Sequence, residues 1–203
     1  SFQKLREHAW QEIQRAIEEP DTSAFRLTLP TGLGKTLMGL YLSAAVQRQH
    51  ENRQGSKPVI YALPYLSIIE QATDVARRVF PPESETGISV IQHHSLSFPE
   101  SKNEEANFEK ARFALEDWDA DLVVTTFDQL FYSFLSQDRG FIRRFFRLPG
   151  AALLLDEVQT IPARLIPAVG TFLEKLCKKL GVRILYMTAT HPPFLRDLPG
   201  IVR

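Results

Sequence analysis

With 203 residues, 44 % apolar and 24 % charged, the chain holds enough apolar material for one compact domain with a single core, and too little bias for a disordered or fibrous protein. Its 24 basic and 24 acidic side chains cancel, which excludes a global field for nucleic acid or membrane and leaves such contacts to a local surface. One cysteine, Cys177, excludes an internal disulfide and suits a reducing cytosol, and neither a bilayer-spanning run nor a signal peptide is expected.

Residues 3–18 place Leu5, Ala9, Ile13 and Ile17 on one face of an amphipathic helix that Pro20 ends. Residues 24–29 read as a short strand, and residues 37–46 as a helix. Between them runs Thr28-Leu29-Pro30-Thr31-Gly32-Leu33-Gly34-Lys35-Thr36. Residues 58–63 form a continuous apolar run, the mark of a strand buried on both faces. It stops at Pro64-Tyr65, after which Ser67 is positioned to cap a helix over 68–80. A third strand is expected over 88–91, followed by Gln92-His93-His94-Ser95. Residues 99–110 are polar and acidic, an exposed loop or insertion, and helical spacing covers 108–117. Further strands are expected at 121–126, 151–156 and 182–187, with helices at 127–135 and 162–180. Arg143, Arg144 and Arg147 stand among phenylalanines over 141–147 and read best as a solvated basic face. Strands alternating with helices imply an α/β fold, a mostly parallel sheet with helices on both faces.

A strand that turns through glycines into a helix bearing Lys-Thr is built to hold phosphate. Glycines let successive N–H groups point inward, and the helix N-terminus adds its dipole. Lys35 can then reach the β/γ-phosphates of ATP, while the Thr36 hydroxyl can ligate Mg²⁺. The full Walker pattern asks for glycine where Leu29 stands, so the match is to the shorter Gly-x-Gly-Lys-Thr form. Directly after the apolar Leu153-Leu154-Leu155 come Asp156-Glu157-Val158-Gln159. A carboxylate there is costly to bury without a positive partner, and a hydrated Mg²⁺ on a triphosphate supplies one. Asp156 would hold the metal and Glu157 would polarise the attacking water; an acidic pair at a helix start is the plainer reading. Gln159 would sense the γ-phosphate or relay to Thr188-Ala189-Thr190, whose hydroxyls could couple nucleotide state to the acidic turn. His93 and His94 lack the companions of a metal site and read as structural or substrate-contacting.

Phosphate loop, Asp-Glu turn and Thr-Ala-Thr in this order resemble the first RecA-like lobe of superfamily 2 DExD/H-box-like helicases. The chain resembles still more the type I CRISPR-associated interference helicase, a helicase–nuclease, through Pro64-Tyr65-Leu66-Ser67-Ile68-Ile69-Glu70-Gln71 and Asp117-Trp118-Asp119-Ala120. That resemblance runs from about residue 24 to 193. It implies one P-loop NTPase lobe over 1–203, with helix 3–18 packed on it. It also implies prokaryotic cytoplasmic antiviral defence and ATP-driven movement on single-stranded DNA after recruitment by an RNA-guided surveillance complex. Pro64, Tyr65 and Ser67, with Thr125, Thr126, Asp128 and Gln129, would touch the DNA backbone. Lobes of this sort often read adenine with an upstream glutamine; Gln11 is the candidate, with Gln3 and Arg6 as rivals and plain solvation as the alternative. The family's second lobe, with its arginine finger, and its histidine–aspartate nuclease domain leave no motif in these residues; they are implied as partners in the same protein or a separate subunit. Another superfamily 2 translocase, of restriction or repair, and an ATP-gated binding module without turnover remain open.

Overall fold

The structure of the protein, a computed structural model, describes residues 2–17, 23–30, 32–48, 57–81, 88–95, 112–135 and 139–190. Six strands, β1 (Ala24–Thr28), β2 (Val59–Leu63), β3 (Val90–His93), β4 (Leu122–Thr126), β5 (Ala152–Leu155) and β6 (Arg183–Thr188), form one parallel sheet in the order β1-β6-β5-β2-β4-β3. Because every neighbouring pair is parallel, all six carboxyl ends lie along one edge. That edge is where open α/β sheets bind ligands.

Alternation along the strands divides the interior in two. Tyr61, Leu63, Val124, Leu154 and Met187 face α1 (Phe2–Ile17), α2 (Lys35–Arg48) and α3 (Leu66–Val79). Ile60, Ala62, Val123, Leu153 and Tyr186 face the other layer. There stand α4 (Phe127–Leu135), α5 (Arg139–Phe145) and α6 (Ile166–Leu180). Helix α2 meets the sheet unusually closely. At Gly39 a Cβ would lie 2.3 Å from Met187 Sδ and 3.4 Å from Leu154 Cδ2, so any larger residue there requires the Met187 side chain to move. The close seat brings the first turn of α2 down to the strand tips.

Three expectations need correction. Helix α3 starts at Leu66, with Tyr65 as its extended N-cap and no side-chain cap; Ser67 therefore lies inside the first turn and caps nothing. Strand β3 sits two residues later than expected. Ser89 is held outside it, its N–H and hydroxyl both donating to Asp121 Oδ2 at 2.8 and 2.7 Å, while pairing of His93 with Thr125 carries the strand onward. The arginines near α5 form the expected solvated face only in part: Arg143 is exposed but pairs with Asp117 Oδ1 at 2.6 Å, and Arg147 pairs with Asp119 Oδ1 at 3.3 Å. Arg144 reaches inward. Its Nη1 donates to Ser133 Oγ at 2.7 Å and its guanidinium lies 5.4 Å from the Trp118 ring centre. Residues 99–110, where a loop or insertion is expected, lie outside the described residues. Among the described residues no helix is long and apolar enough to cross a membrane.

Candidate active site

Gly32 and Gly34 carry φ of 83° and 85°, the left-handed region that side chains avoid. These two residues let the chain leave β1, curl, and enter α2 at Lys35. Leu29 and Leu33 are buried beneath the loop and Pro30 is exposed, while Thr31 lies outside the described residues. The Leu29 N–H donates to Thr188 O at 3.1 Å, which ties the loop's entrance to the tip of β6.

Two strands away, the chain leaves β5 through Asp156 and a left-handed non-glycine residue, Glu157, at φ 54° and ψ 42°. A non-glycine residue there costs on the order of 1 kcal/mol, and the surrounding bonds hold it. Glu157 N–H donates to Asp156 Oδ1 at 2.9 Å and Thr160 Oγ1 donates to Glu157 O at 2.8 Å. The turn aims both carboxylates at Lys35, whose Nζ lies 3.2 Å from Asp156 Oδ1 and donates to Glu157 Oε1. Lys35 is 8 % exposed and Asp156 4 %, so water screens this pairing little. Burial pushes the Asp156 carboxyl above its ordinary range, and Lys35 followed by the Tyr61 hydroxyl draws it back.

Beside Glu157, Gln159 Nε2 donates to Glu157 Oε2, and its Oε1 lies 2.6 Å from Thr188 Oγ1. Thr190 N–H donates to that same hydroxyl oxygen at 3.2 Å. A chain of side chains therefore links Lys35, Glu157, Gln159 and Thr188 along the tips of β5 and β6. Ala189 lies half-buried between Thr188 and Thr190.

A family model described as DEAD/DEAH box helicase matches residues 6–198. The chain belongs to the DEAD/DEAH box helicase family. It is 35 % identical over 186 residues to the CRISPR-associated nuclease/helicase Cas3 of Haloferax volcanii, a match that covers 85 % of this chain and 20 % of that protein. The chain thus spans about one fifth of its relative's length. Among solved structures it is similar to Cas3 of T. fusca with ADP, with a TM-score of 0.66, 19 % identity, and 87 % of this chain and 20 % of that one covered. It is also similar to the Mycobacterium smegmatis helicase Lhr bound to ssDNA and AMP-PNP, with a TM-score of 0.59, 22 % identity, and 96 % and 24 % covered. The Pyrococcus furiosus Hef helicase domain is a third, with a TM-score of 0.56, 17 % identity, and 98 % and 37 % covered. At these identities the structures show the fold, a RecA-like helicase lobe.

In this DEAD/DEAH box lobe the oxygens available to a metal are few. Thr36 Oγ1 lies 3.5 Å from the Tyr61 hydroxyl, which in turn lies 2.8 Å from Asp156 Oδ2. Among the described residues no group of three His, Cys, Asp or Glu gathers to hold a metal. One hydroxyl and one carboxylate fit Mg²⁺, which keeps waters and shares phosphate oxygens instead of demanding an all-protein cage. They do not fit zinc, which takes four protein ligands in a structural site and three in a catalytic one. Tyr61 is the residue that sequence reasoning missed. A phenol inside a strand buried on both faces needs a partner for its hydroxyl, and that was its signal.

The candidate nucleic-acid residues fall on the other half of the same edge, at the tips of β2 and β4. Leu63 and Thr126 are paired neighbours. Tyr65, Ser67 and Asp128 are exposed and Pro64 and Gln129 half-buried, whereas Thr125 and Thr126 are buried. Thr126 Oγ1 accepts from Gln129 N–H at 3.1 Å and so caps α4, and the Thr125 hydroxyl is buried without a hydrogen-bond partner among the described residues. Gln11 and Arg6 are exposed on α1, and Gln3 donates to Glu7 Oε1 at 3.3 Å. His93 is buried with its Nε2 3.2 Å from Arg144 Nη2 and its ring edge-on to Trp118. A guanidinium only donates, so Nε2 must carry the lone pair and the imidazole is neutral. Burial, with Arg144 and His94 adding to it, pushes His93 down to about 3. The structural reading of His93 accounts for these contacts.

Proposed function

We propose that this chain is the ATP- and Mg²⁺-binding lobe of an ATP-dependent helicase that moves on single-stranded DNA and serves type I CRISPR interference. The observation that carries the reading is the convergence of Lys35, Thr36, Asp156 and Glu157 from two separate turns onto one buried spot. The 35 % identity to the nuclease/helicase Cas3 of Haloferax volcanii supports the narrower assignment, and the ADP-bound neighbour supports the nucleotide. The single-stranded DNA beside the Lhr neighbour supports the polymer.

In this reading the loop from Leu29 through Pro30, Thr31, Gly32, Leu33 and Gly34 to Lys35 wraps the phosphates, with N–H groups from Gly32 onward donating to them, and Lys35 exchanges its carboxylate partners for phosphate oxygens. Mg²⁺, held by Thr36 and Asp156, would neutralise charge developing on the transferred phosphoryl group. Glu157 is then released to orient a water and take its proton. Gln159 and Thr188 pass the change to the β6 tip, and Gln11 is the candidate for the adenine. Pro64, Tyr65, Ser67, Asp128 and Gln129, with the backbone at Thr125 and Thr126, form the strand-tip surface for DNA phosphates. Neutral overall charge agrees with hydroxyl and backbone contacts of this sequence-blind kind. A second RecA-like lobe bringing an arginine, worth ~10³–10⁵ in rate, and a nuclease domain belong to the same proposal, as do an RNA-guided recruiting complex and a cytoplasmic setting.

The test is a pair of substitutions in the full protein carrying this chain. Glu157→Gln should abolish DNA-stimulated ATP hydrolysis while leaving nucleotide affinity near wild type, and Lys35→Ala should abolish binding itself. Hydrolysis that persists in Glu157→Gln removes the catalytic assignment and favours an ATP-gated binding module.

A further inference from the structure

We propose that Tyr61 is a positioning residue for the magnesium site, relaying a hydrogen bond from Thr36 to Asp156; this rests on the nucleotide reading above. Tyr61 stands mid-strand in β2, 1 % exposed, with its ring in the layer beneath α2. Its hydroxyl lies between the two side chains that would hold the ion, 2.8 Å from Asp156 Oδ2 and 3.5 Å from Thr36 Oγ1.

Counting protons fixes the direction of the relay. A phenol has one proton, and an ionised carboxylate only accepts. Tyr61 therefore donates to Asp156 Oδ2. Its oxygen keeps lone pairs, so across the longer 3.5 Å gap the Thr36 hydroxyl is left with the donor's part. That choice turns the Thr36 proton away from the phosphate loop and leaves its oxygen lone pairs for a cation. It also divides the Asp156 carboxylate: Oδ2 is taken by Tyr61, while Oδ1 faces Lys35 Nζ at 3.2 Å and accepts from Glu157 N–H. One phenol thus holds the Asp156 carboxylate from beneath and stands next to the Thr36 hydroxyl. A tyrosine kept only to fill the core would need its ring and no hydroxyl.

The hydroxyl and the ring are separable. In the full protein, AMP-PNP affinity would be measured by calorimetry in Mg²⁺ and again in EDTA. Tyr61→Phe should weaken binding about tenfold in Mg²⁺, the scale of leaving a buried carboxylate oxygen unpaired, and leave the EDTA affinity unchanged. Should Tyr61→Phe fold poorly, 4-methylphenylalanine and 4-aminophenylalanine at position 61 fill the same shape. The amino form restores a donor and should recover Mg²⁺-dependent affinity, and the methyl form should not. Equal affinity with both side chains, or losses of equal size in Mg²⁺ and in EDTA, would reduce Tyr61 to core filling. Wild-type protein that binds no nucleotide under either condition would overturn the nucleotide reading itself, and this inference with it.

Discussion

Gly39→Ala is the sharpest test of how the site is held, because its sign depends on one contact. In an unconstrained helix the change stabilises by about 1 kcal/mol, since alanine is the better helix former. Here the added methyl would meet Met187 Sδ at 2.3 Å and Met187 Cε at 3.2 Å. Non-bonded heavy atoms rest at roughly 3.5–4 Å, so Met187, fully buried, has to retreat by more than about 1 Å or α2 has to lift. Overpacking of that kind costs about 1–3 kcal/mol. The net expectation is a chain about 1 kcal/mol less stable, some 2 kcal/mol from the unconstrained outcome. Urea denaturation with linear extrapolation reads this directly. In a Met187→Ala background the clash is gone and Gly39→Ala should turn stabilising, giving a coupling of about 2 kcal/mol in the double-mutant cycle. Stabilisation of the wild-type background by Gly39→Ala would refute the argument that glycine seats α2 on the sheet.

His93 supplies a pH dependence. Folded, it stays neutral down to about 3; unfolded, it titrates near 6.5. The unfolded chain therefore binds the extra proton between those values. Stability is complete above pH ~6.5 and is lost at roughly 1.4 kcal/mol per unit below it. Between pH 7 and 5, wild type should lose about 2 kcal/mol more than His93→Gln, whose amide oxygen still offers Arg144 an acceptor; equal losses would overturn the neutral-imidazole assignment. Thr188→Val should cost about 1 kcal/mol in urea titrations and lower DNA stimulation of ATP hydrolysis while nucleotide affinity stays put; unchanged stimulation would show that Thr188 carries no coupling.

What could be read in advance was what is local in the chain. Gly32 and Gly34 before Lys35, and Asp156-Glu157 after three leucines, declare their geometry through neighbours one to four positions away. The structure indeed brings both turns to one spot. Strand alternation with helices also gave the parallel sheet, because each continuous apolar run needs cover on both faces. Contacts across long sequence gaps were hidden. Nothing near Arg144 announces that His93, 51 residues earlier, will accept from it, and Tyr61 meets Asp156 across 95. The late start of β3 has the same origin, since Asp121 holds Ser89 from 32 residues away. Thr125 and Thr126 looked like surface hydroxyls because a pattern of strand followed by helix does not tell which threonine turns inward to cap.

Strand order adds a consequence for synthesis. Among the described residues β1 has a single neighbour in the sheet, β6, and β6 alone separates it from β5. On the ribosome, residues 24–28 emerge before residues 183–188, the strand they pair with. The nascent lobe can therefore gather β2 through β5, and Lys35 can meet Asp156 and Glu157, while the entrance of its phosphate loop still lacks the Thr188 carbonyl that Leu29 leans on. Competence to hold a nucleotide would be the last property this lobe acquires, and an ATP-bound nascent chain would be one whose sheet is already closed.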